Sequence, residues 1–172
     1  MSESYEVVVI GAGAAGLMAA TRAAERGRCT LLLEKNRKPG VKILMSGGTR
    51  CNLTHSTDAR GIVAAFGSQG PFLHSALAAL GPDELVWMFE AEGVATKVEE
   101  TGKVFPASDR ALDVLLALRR MLDRSGAELR LGTPVTEVRR DGDGYCVTTL
   151  DGEIRAEKLL ITVGGQSYPG CG

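Results

Sequence analysis

Three glycines in the first sixteen residues constrain this chain more than anything else in it. Gly11-Ala-Gly13-Ala-Ala-Gly16 follows the β-branched run Tyr5-Glu-Val-Val-Val-Ile10 and opens the alanine-rich stretch Ala14 to Arg26, which stops at Gly27. A strand, a tight turn and a helix are therefore expected in that order. Cys29-Thr-Leu-Leu-Leu33 reads as a second buried strand, completing a βαβ unit of a parallel sheet covered on both faces. In such a unit Gly11 permits the turn, Gly13 lets backbone approach a pyrophosphate, and Gly16 allows close helix-to-strand packing. The N–H groups of Ala14 and Ala15 open the helix, where the dipole favours an anion. Glu34 ends the second strand, 18 residues beyond Gly16, and is placed to accept hydrogen bonds from ribose hydroxyls. The pattern specifies a dinucleotide and leaves its identity open.

The rest of the chain qualifies that reading. Lys35 to Asn52 turns basic and glycine-rich and reads as a long structured loop, with Lys42 and Arg50 as cations, Gly47 and Gly48 for close approach, and Asn52 as donor and acceptor. Helical patterns follow at Pro71 to Leu80, Pro82 to Glu92 and Ser108 to Arg124, the last with Ser108 as N-cap and Asp109 in its first turn. Strand-like stretches at Glu128 to Leu131, Val135 to Arg140, Tyr145 to Leu150 and Ile154 to Val163 are separated by Asp-Gly turns, giving a small antiparallel meander that feeds a final apolar strand. The expected fold class is α/β, a Rossmann-like domain with a parallel sheet plus that meander.

With 172 residues, 44% of them hydrophobic, one domain is the size-based expectation. A formal net charge of -1 offers no basic field, so nucleic acid is not an expected partner. No stretch approaches a membrane span and no secretory n-region precedes the first strand, which favours a cytoplasmic protein. The four cysteines, Cys29, Cys51, Cys146 and Cys171, lack CxxC or metal spacing, so neither a metal site nor a dithiol is expected. Cys51 is read as a packing residue. His55 and His74 belong to no catalytic constellation, and no catalytic acid or base is assigned.

Two resemblances sharpen these expectations. Gly11-x-Gly13-x-x-Gly16-x3-Ala20-x6-Gly27-x6-Glu34-Lys35 resembles the extended fingerprint of glutathione-reductase-type FAD domains, with Thr30 where a valine is more usual. Lys42-Ile-Leu-Met-Ser46-Gly-Gly-Thr49-Arg50-Cys51-Asn52, Val104-Phe-Pro-Ala-Ser-Asp109 and Gly164-Gly-Gln-Ser-Tyr-Pro169 together resemble the aminoacetone-oxidase-type family of NAD(P)/FAD-dependent flavoproteins. Thr49 replaces the third glycine usual there; if that position needs a positive φ, threonine is strained. Val163 replaces a threonine, removing a hydroxyl.

The resemblance implies FAD as cofactor, with NAD(P)H as a possible electron donor. It places Lys35, Lys42, Ser46, Gly47, Gly48, Arg50, Cys51, Asn52, Gly164 and Gly165 along the cofactor, and Val135 against adenine. It implies a flavin-dependent oxidoreductase moving hydride between a reduced nicotinamide or small organic substrate and an acceptor. Residues 1–172 would then be an incomplete FAD-binding domain, lacking an inserted substrate domain and a C-terminal return segment, with weak FAD binding, if any, and no substantial turnover when alone. A non-catalytic nucleotide-binding module and an NAD-dependent dehydrogenase fragment are the competing readings. The substrate and the oligomeric state are not specified by the sequence.

Overall fold

A computed structural model describes residues 3–165, so Cys171 and the Gln166 to Pro169 part of the third motif lie outside the described residues. The chain divides into two compact units, one formed by the residues up to Lys42 and from Leu118 onward, the other by Ile43–Ala117.

The first unit is built on β1 (Glu3–Ile10), α1 (Ala14–Glu25) and β2 (Thr30–Glu34). Strand β1 pairs in parallel with β2 on one side and with β9 (Gly152–Ile161) on the other. Beyond β2 lies β6 (Glu128–Leu131), also parallel, and beyond β9 lie β8 (Gly144–Thr149) and β7 (Val135–Asp141), both antiparallel. The six-stranded order is β6-β2-β1-β9-β8-β7. The expected α/β fold is thus present, with one difference. Glu128–Leu131 does not open the meander but extends the parallel sheet, because Leu31 to Glu34 take it as their partner. The meander is β7-β8-β9, turned by Gly142 at φ 59° and Gly152 at φ 134°.

All five residues of β2 are buried, as are Val7, Val8 and Val9 of β1. Continuous apolar runs of this kind belong to strands covered on both faces. Val8, Leu31, Leu33, Val147, Ile154 and Ala156 form one core cluster, so the meander shares its core with the parallel strands. Thr30, the departure from valine, is buried and returns its hydroxyl to the Arg28 carbonyl at 2.9 Å, which satisfies the polar atom where it stands.

The second unit contains α2 from Ile43 on (Val41–Met45), β3 (Thr54–His55), α3 (Ala59–Ala65), α4 (His74–Ala79), α5 (Pro82–Ala91), β4 (Thr96–Val98), β5 (Lys103–Pro106) and the start of α6 (Ala111–Ser125). A three-stranded antiparallel sheet, β3-β5-β4, carries α5 against it. This sheet was not expected; its strands are two to four residues long and too short to show a period. The helix expected at Pro71 to Leu80 splits. Pro71 sits inside a 3-10 turn, Gly67–Leu73, and α4 begins only at His74. Nor does Ser108 cap α6. The helix starts at Ala111, Asp109 takes φ 55°, and the Ser108 hydroxyl donates to Asp113 at 2.6 Å.

One polar cluster joins β1 to β6 of the main sheet. The Tyr5 hydroxyl donates to Glu128 at 2.6 Å and accepts from Arg130 at 2.7 Å, while Arg130 also pairs with Glu128 and Glu3. Burial, then the bond to Glu128, pushes the Tyr5 hydroxyl from 10.0 up to about 12. The folded state therefore holds that proton more tightly than the unfolded chain, a contribution complete below pH 10 and lost between pH 10 and about 12. Tyr5→Phe removes it. Urea unfolding should show the stability gap between wild type and Tyr5→Phe shrinking across that window; a constant gap would count against the assignment.

Candidate dinucleotide site

The glycine turn lies at the end of β1, held from several sides. Gly11 takes φ 100°, and a Cβ there would sit 2.9 Å from the Thr162 carbonyl oxygen. A Cβ on Gly16 would sit 1.8 Å from the Gly11 carbonyl oxygen. Both glycines are required by the protein's own packing. Gly13 differs. Its φ of -79° and ψ of -171° suit any residue, and a Cβ there would meet nothing within 4 Å. Neither the backbone angles nor the packing requires glycine at position 13, and the space beside it is open to a close approach. Gly13 is also the N-cap of α1, without a side-chain cap, and no acidic residue occupies the first turn. The first-turn N–H groups of Ala14 and Ala15 have no acceptor within the helix, as at any helix start.

Glu34 is hydrogen-bonded on both of its oxygens. Its Oε2 accepts from the Ala12 N–H at 2.8 Å, and its Oε1 accepts from the Asn36 backbone N–H at 2.9 Å and side-chain amide at 2.6 Å. The buried carboxylate thus ties the glycine turn to the end of β2. Oε1 is filled by its two donors, whereas Oε2, with one, keeps a lone pair able to receive a further hydroxyl. The Glu34 carbonyl takes the Thr133 N–H at 2.9 Å, bringing the start of β7 and Val135 beside this strand end. Lys35 follows, exposed.

Lys42 donates to the Gly165 carbonyl, and a Cβ on Gly164, which takes φ 79°, would lie 3.2 Å from the Lys42 ammonium. The glycines after β9 and the start of α2 are therefore joined in the same unit as the fingerprint. The hydroxyl lost at Val163 is matched next door: Thr162 donates to the Ile10 and Gly11 carbonyls at 2.9 and 2.8 Å. Sequence reasoning did not single out Thr162; the only signal was a hydroxyl residue where the resemblance expects alanine.

The remaining candidates belong to the second unit. Between Gly47 and Cys51 the backbone is left-handed at Gly47 (φ 55°), Gly48 (67°), Thr49 (72°) and Cys51 (63°). The positive φ foreseen as a strain on Thr49 is present. The loop is closed by Cys51 N–H to the Ser46 carbonyl (3.1 Å) and by Ala111 N–H to the Thr49 carbonyl (2.9 Å). Arg50 is not a free cation for an anionic cofactor. Its guanidinium pairs with Glu99 at 2.5 Å and Asp109 at 3.4 Å and lies 4.1 Å from the Phe105 ring centre. Asp109 also pairs with Lys97, and both lysine and arginine hold its carboxyl below the usual range. The Asn52 amide nitrogen is placed to donate to the Val104 (3.2 Å) and Thr54 (2.8 Å) carbonyls, so this side chain braces the small sheet. Cys51 is buried, and that burial pushes its thiol up despite the Ser46 contact, which fits a packing residue rather than a thiolate. His55 rests on the Thr101 carbonyl at 2.8 Å. Among the described residues no group of three or more His, Cys, Asp or Glu could hold a metal ion, and no helix is long and apolar enough to cross a membrane.

Two substitutions should move stability in opposite directions. Glu34→Ala strands the Ala12 N–H and should cost about 1–3 kcal/mol in urea unfolding without cofactor. Thr49→Gly relieves a left-handed β-branched residue and should gain up to about 1 kcal/mol, since relaxed strain outweighs the added unfolded-state freedom. A loss of stability at Thr49→Gly would show that its side chain, not its backbone, matters.

Comparison with known proteins agrees with this fold. The chain is 35% identical over 99% of its length to the "Ribosomal RNA dihydrouridine synthase" of Escherichia coli (strain K12) and 31% identical over its full length to the protein of that name from Haemophilus influenzae. It spans 42% and 43% of the length of those two relatives. Among solved structures, NikD, "an unusual amino acid oxidase essential for nikkomycin biosynthesis", superposes with a TM-score of 0.58 at 23% identity, covering 96% of this chain and 53% of that one, a likeness of fold. Residues 5–172 match the model of the HI0933-like protein Rossmann domain, and the chain belongs to that family.

Proposed function

We propose that this chain is the FAD-binding part of a flavin-dependent oxidoreductase, with residues 1–172 as an incomplete FAD-binding domain. The observation that carries the reading is Gly13, a glycine that neither its backbone angles nor its surroundings require. A diphosphate seated against that position and the first turn of α1 explains it. Gly11, Gly13, Ala14, Ala15 and Gly16 would hold the pyrophosphate, Glu34 the ribose and Val135 the adenine side. Gly164 and Gly165, joined to Lys42, supply a second close approach from the end of β9. In the other unit, Ser46, Gly47, Gly48, Cys51 and Asn52 belong to a loop of its own, which Arg50 braces through Glu99 and Asp109. The flavin, when bound, supplies a centre that accepts and donates hydride.

The names of the two bacterial relatives support a specific substrate for the whole protein. Dihydrouridine is uridine with a hydride and a proton added across its C5–C6 double bond, a reduction that suits a flavin recharged by NAD(P)H. In that reading the protein acts on a uracil base in ribosomal RNA. The near-neutral charge of this chain then assigns RNA contact to the part of those relatives it does not span. The aminoacetone-oxidase-type resemblance supports a second reading, oxidation of a small amine, and rests on the loop motif from Lys42 to Asn52 and the strand motif from Val104 to Asp109.

Gly13→Val separates ligand from fold. Open space and ordinary dihedrals predict a variant that folds, at the modest cost of a poorer N-cap, with FAD affinity reduced by at least about 100-fold. Flavin absorbance between about 370 and 450 nm reads the binding directly. A folded variant that keeps the FAD affinity of the wild-type chain overturns the reading.

A further inference from the structure

We propose that Thr162 is a positioning residue for the diphosphate. Its hydroxyl, reaching back from the end of β9, fixes the peptide plane that aims the glycine turn. This inference rests on the dinucleotide reading above and concerns a residue that the fingerprint does not include.

The Gly11 N–H is fixed on the Leu33 carbonyl at 2.7 Å. The next plane, joining Gly11 to Ala12, is gripped at both ends: its carbonyl accepts from the Thr162 hydroxyl at 2.8 Å, and its N–H donates to Glu34 at 2.8 Å. The plane after that, joining Ala12 to Gly13, has its carbonyl held by the Gly40 N–H at 2.8 Å. In a trans peptide the N–H points opposite to the carbonyl. Holding the Ala12 carbonyl toward Gly40 therefore turns the Gly13 N–H the other way, and the plane before it must be fixed for that direction to persist.

Thr162 shares its single hydroxyl proton between the Ile10 and Gly11 carbonyls, while its own backbone N–H also meets Ile10 at 2.9 Å. Of the two grips on the Gly11–Ala12 plane, Glu34 also faces the ribose, so Thr162 is the one that acts through the turn alone. A Cβ on Gly16 would lie 2.6 Å from the Thr162 hydroxyl oxygen, so the hydroxyl occupies space that the third fingerprint glycine leaves open.

The test uses the 172-residue chain, with ADP and AMP as probes in calorimetric titration. ADP carries the diphosphate that meets the turn; AMP has the same adenosine with one phosphate fewer. Thr162→Val keeps the volume and removes the hydroxyl, and Thr162→Ser keeps the hydroxyl. The expected result is ADP affinity about five- to tenfold weaker in Thr162→Val, the scale of one neutral hydrogen bond, with AMP changed less than about twofold and Thr162→Ser restoring ADP binding. If Thr162→Val does not fold, Thr162→Ala against Thr162→Ser makes the same comparison. Equal loss of ADP and AMP, no loss of either, or failure of the serine to restore ADP binding each overturns the proposal. A wild-type chain that binds neither probe overturns the dinucleotide reading as well, whereas wild-type binding with unaltered variants overturns this inference alone.

Discussion

The first unit depends on how closely the carbonyl of Gly11 approaches Gly16. With 1.8 Å between that oxygen and the point a Cβ would occupy, α1 can lie against the end of β1 only if residue 16 has no side chain. That closeness sets where α1 starts, and with it where the unsatisfied N–H groups of its first turn emerge. It also leaves the turn carbonyls facing inward, where they must be hydrogen-bonded. The bonds come from distant sequence: Gly40 and Thr162 from one side, with Glu34 taking the intervening N–H. A local steric requirement thereby commits three other segments to meet at one turn, which is why the parallel order β2-β1-β9 and the site are one feature.

The second unit solves a related problem at higher local cost. A run of left-handed residues from Gly47 to Cys51 would unwind without partners, and two of those residues are not glycine. It is held by backbone bonds from Cys51 to Ser46 and from Ala111 to Thr49, and by a guanidinium between two carboxylates over a phenylalanine ring. The ion pairs are half-exposed and individually worth little. What they supply is direction, because Arg50 sits between the two strained residues and cannot turn without leaving both carboxylates. Strain kept in place by a ring of surrounding contacts is characteristic of loops that serve a ligand.

Legibility from sequence followed the range of the interactions. The βαβ unit could be read because its steric rules act within a few residues and its strands are buried on both faces, so Val7 to Val9 and Thr30 to Glu34 carry no competing pattern. Thr49 was readable as a strained position because the reason is intrinsic to a β-branched residue. Partner choice was not readable. Glu128–Leu131 looks like a meander strand by composition, and only pairing with β2 places it in the parallel sheet. Asp109 looked like a helix first-turn acid, yet its φ of 55° and its bonds to Lys97 and Arg50 take it out of the helix. Arg50 looked like a cation for a cofactor because charge is visible in sequence and its neutralisation by Glu99, 49 residues away, is not.

The same distinction explains why the site is clearer than the reaction. The groups gathered around the glycine turn are helix N–H groups, a carboxylate, a hydroxyl and a lysine-bound carbonyl. None of them is a proton donor or acceptor set against a reacting carbon, and the buried Cys51 has its thiol pushed away from the reactive form. In flavoproteins this division is physical, since the ring performs the redox step and the protein around it decides which molecule meets the ring. Binding residues must satisfy the fixed chemistry of an ADP group, so they recur in spacing and can be read. Selecting residues need satisfy only one substrate, and a chain spanning about two fifths of its relatives contains the first kind of information in far greater measure than the second.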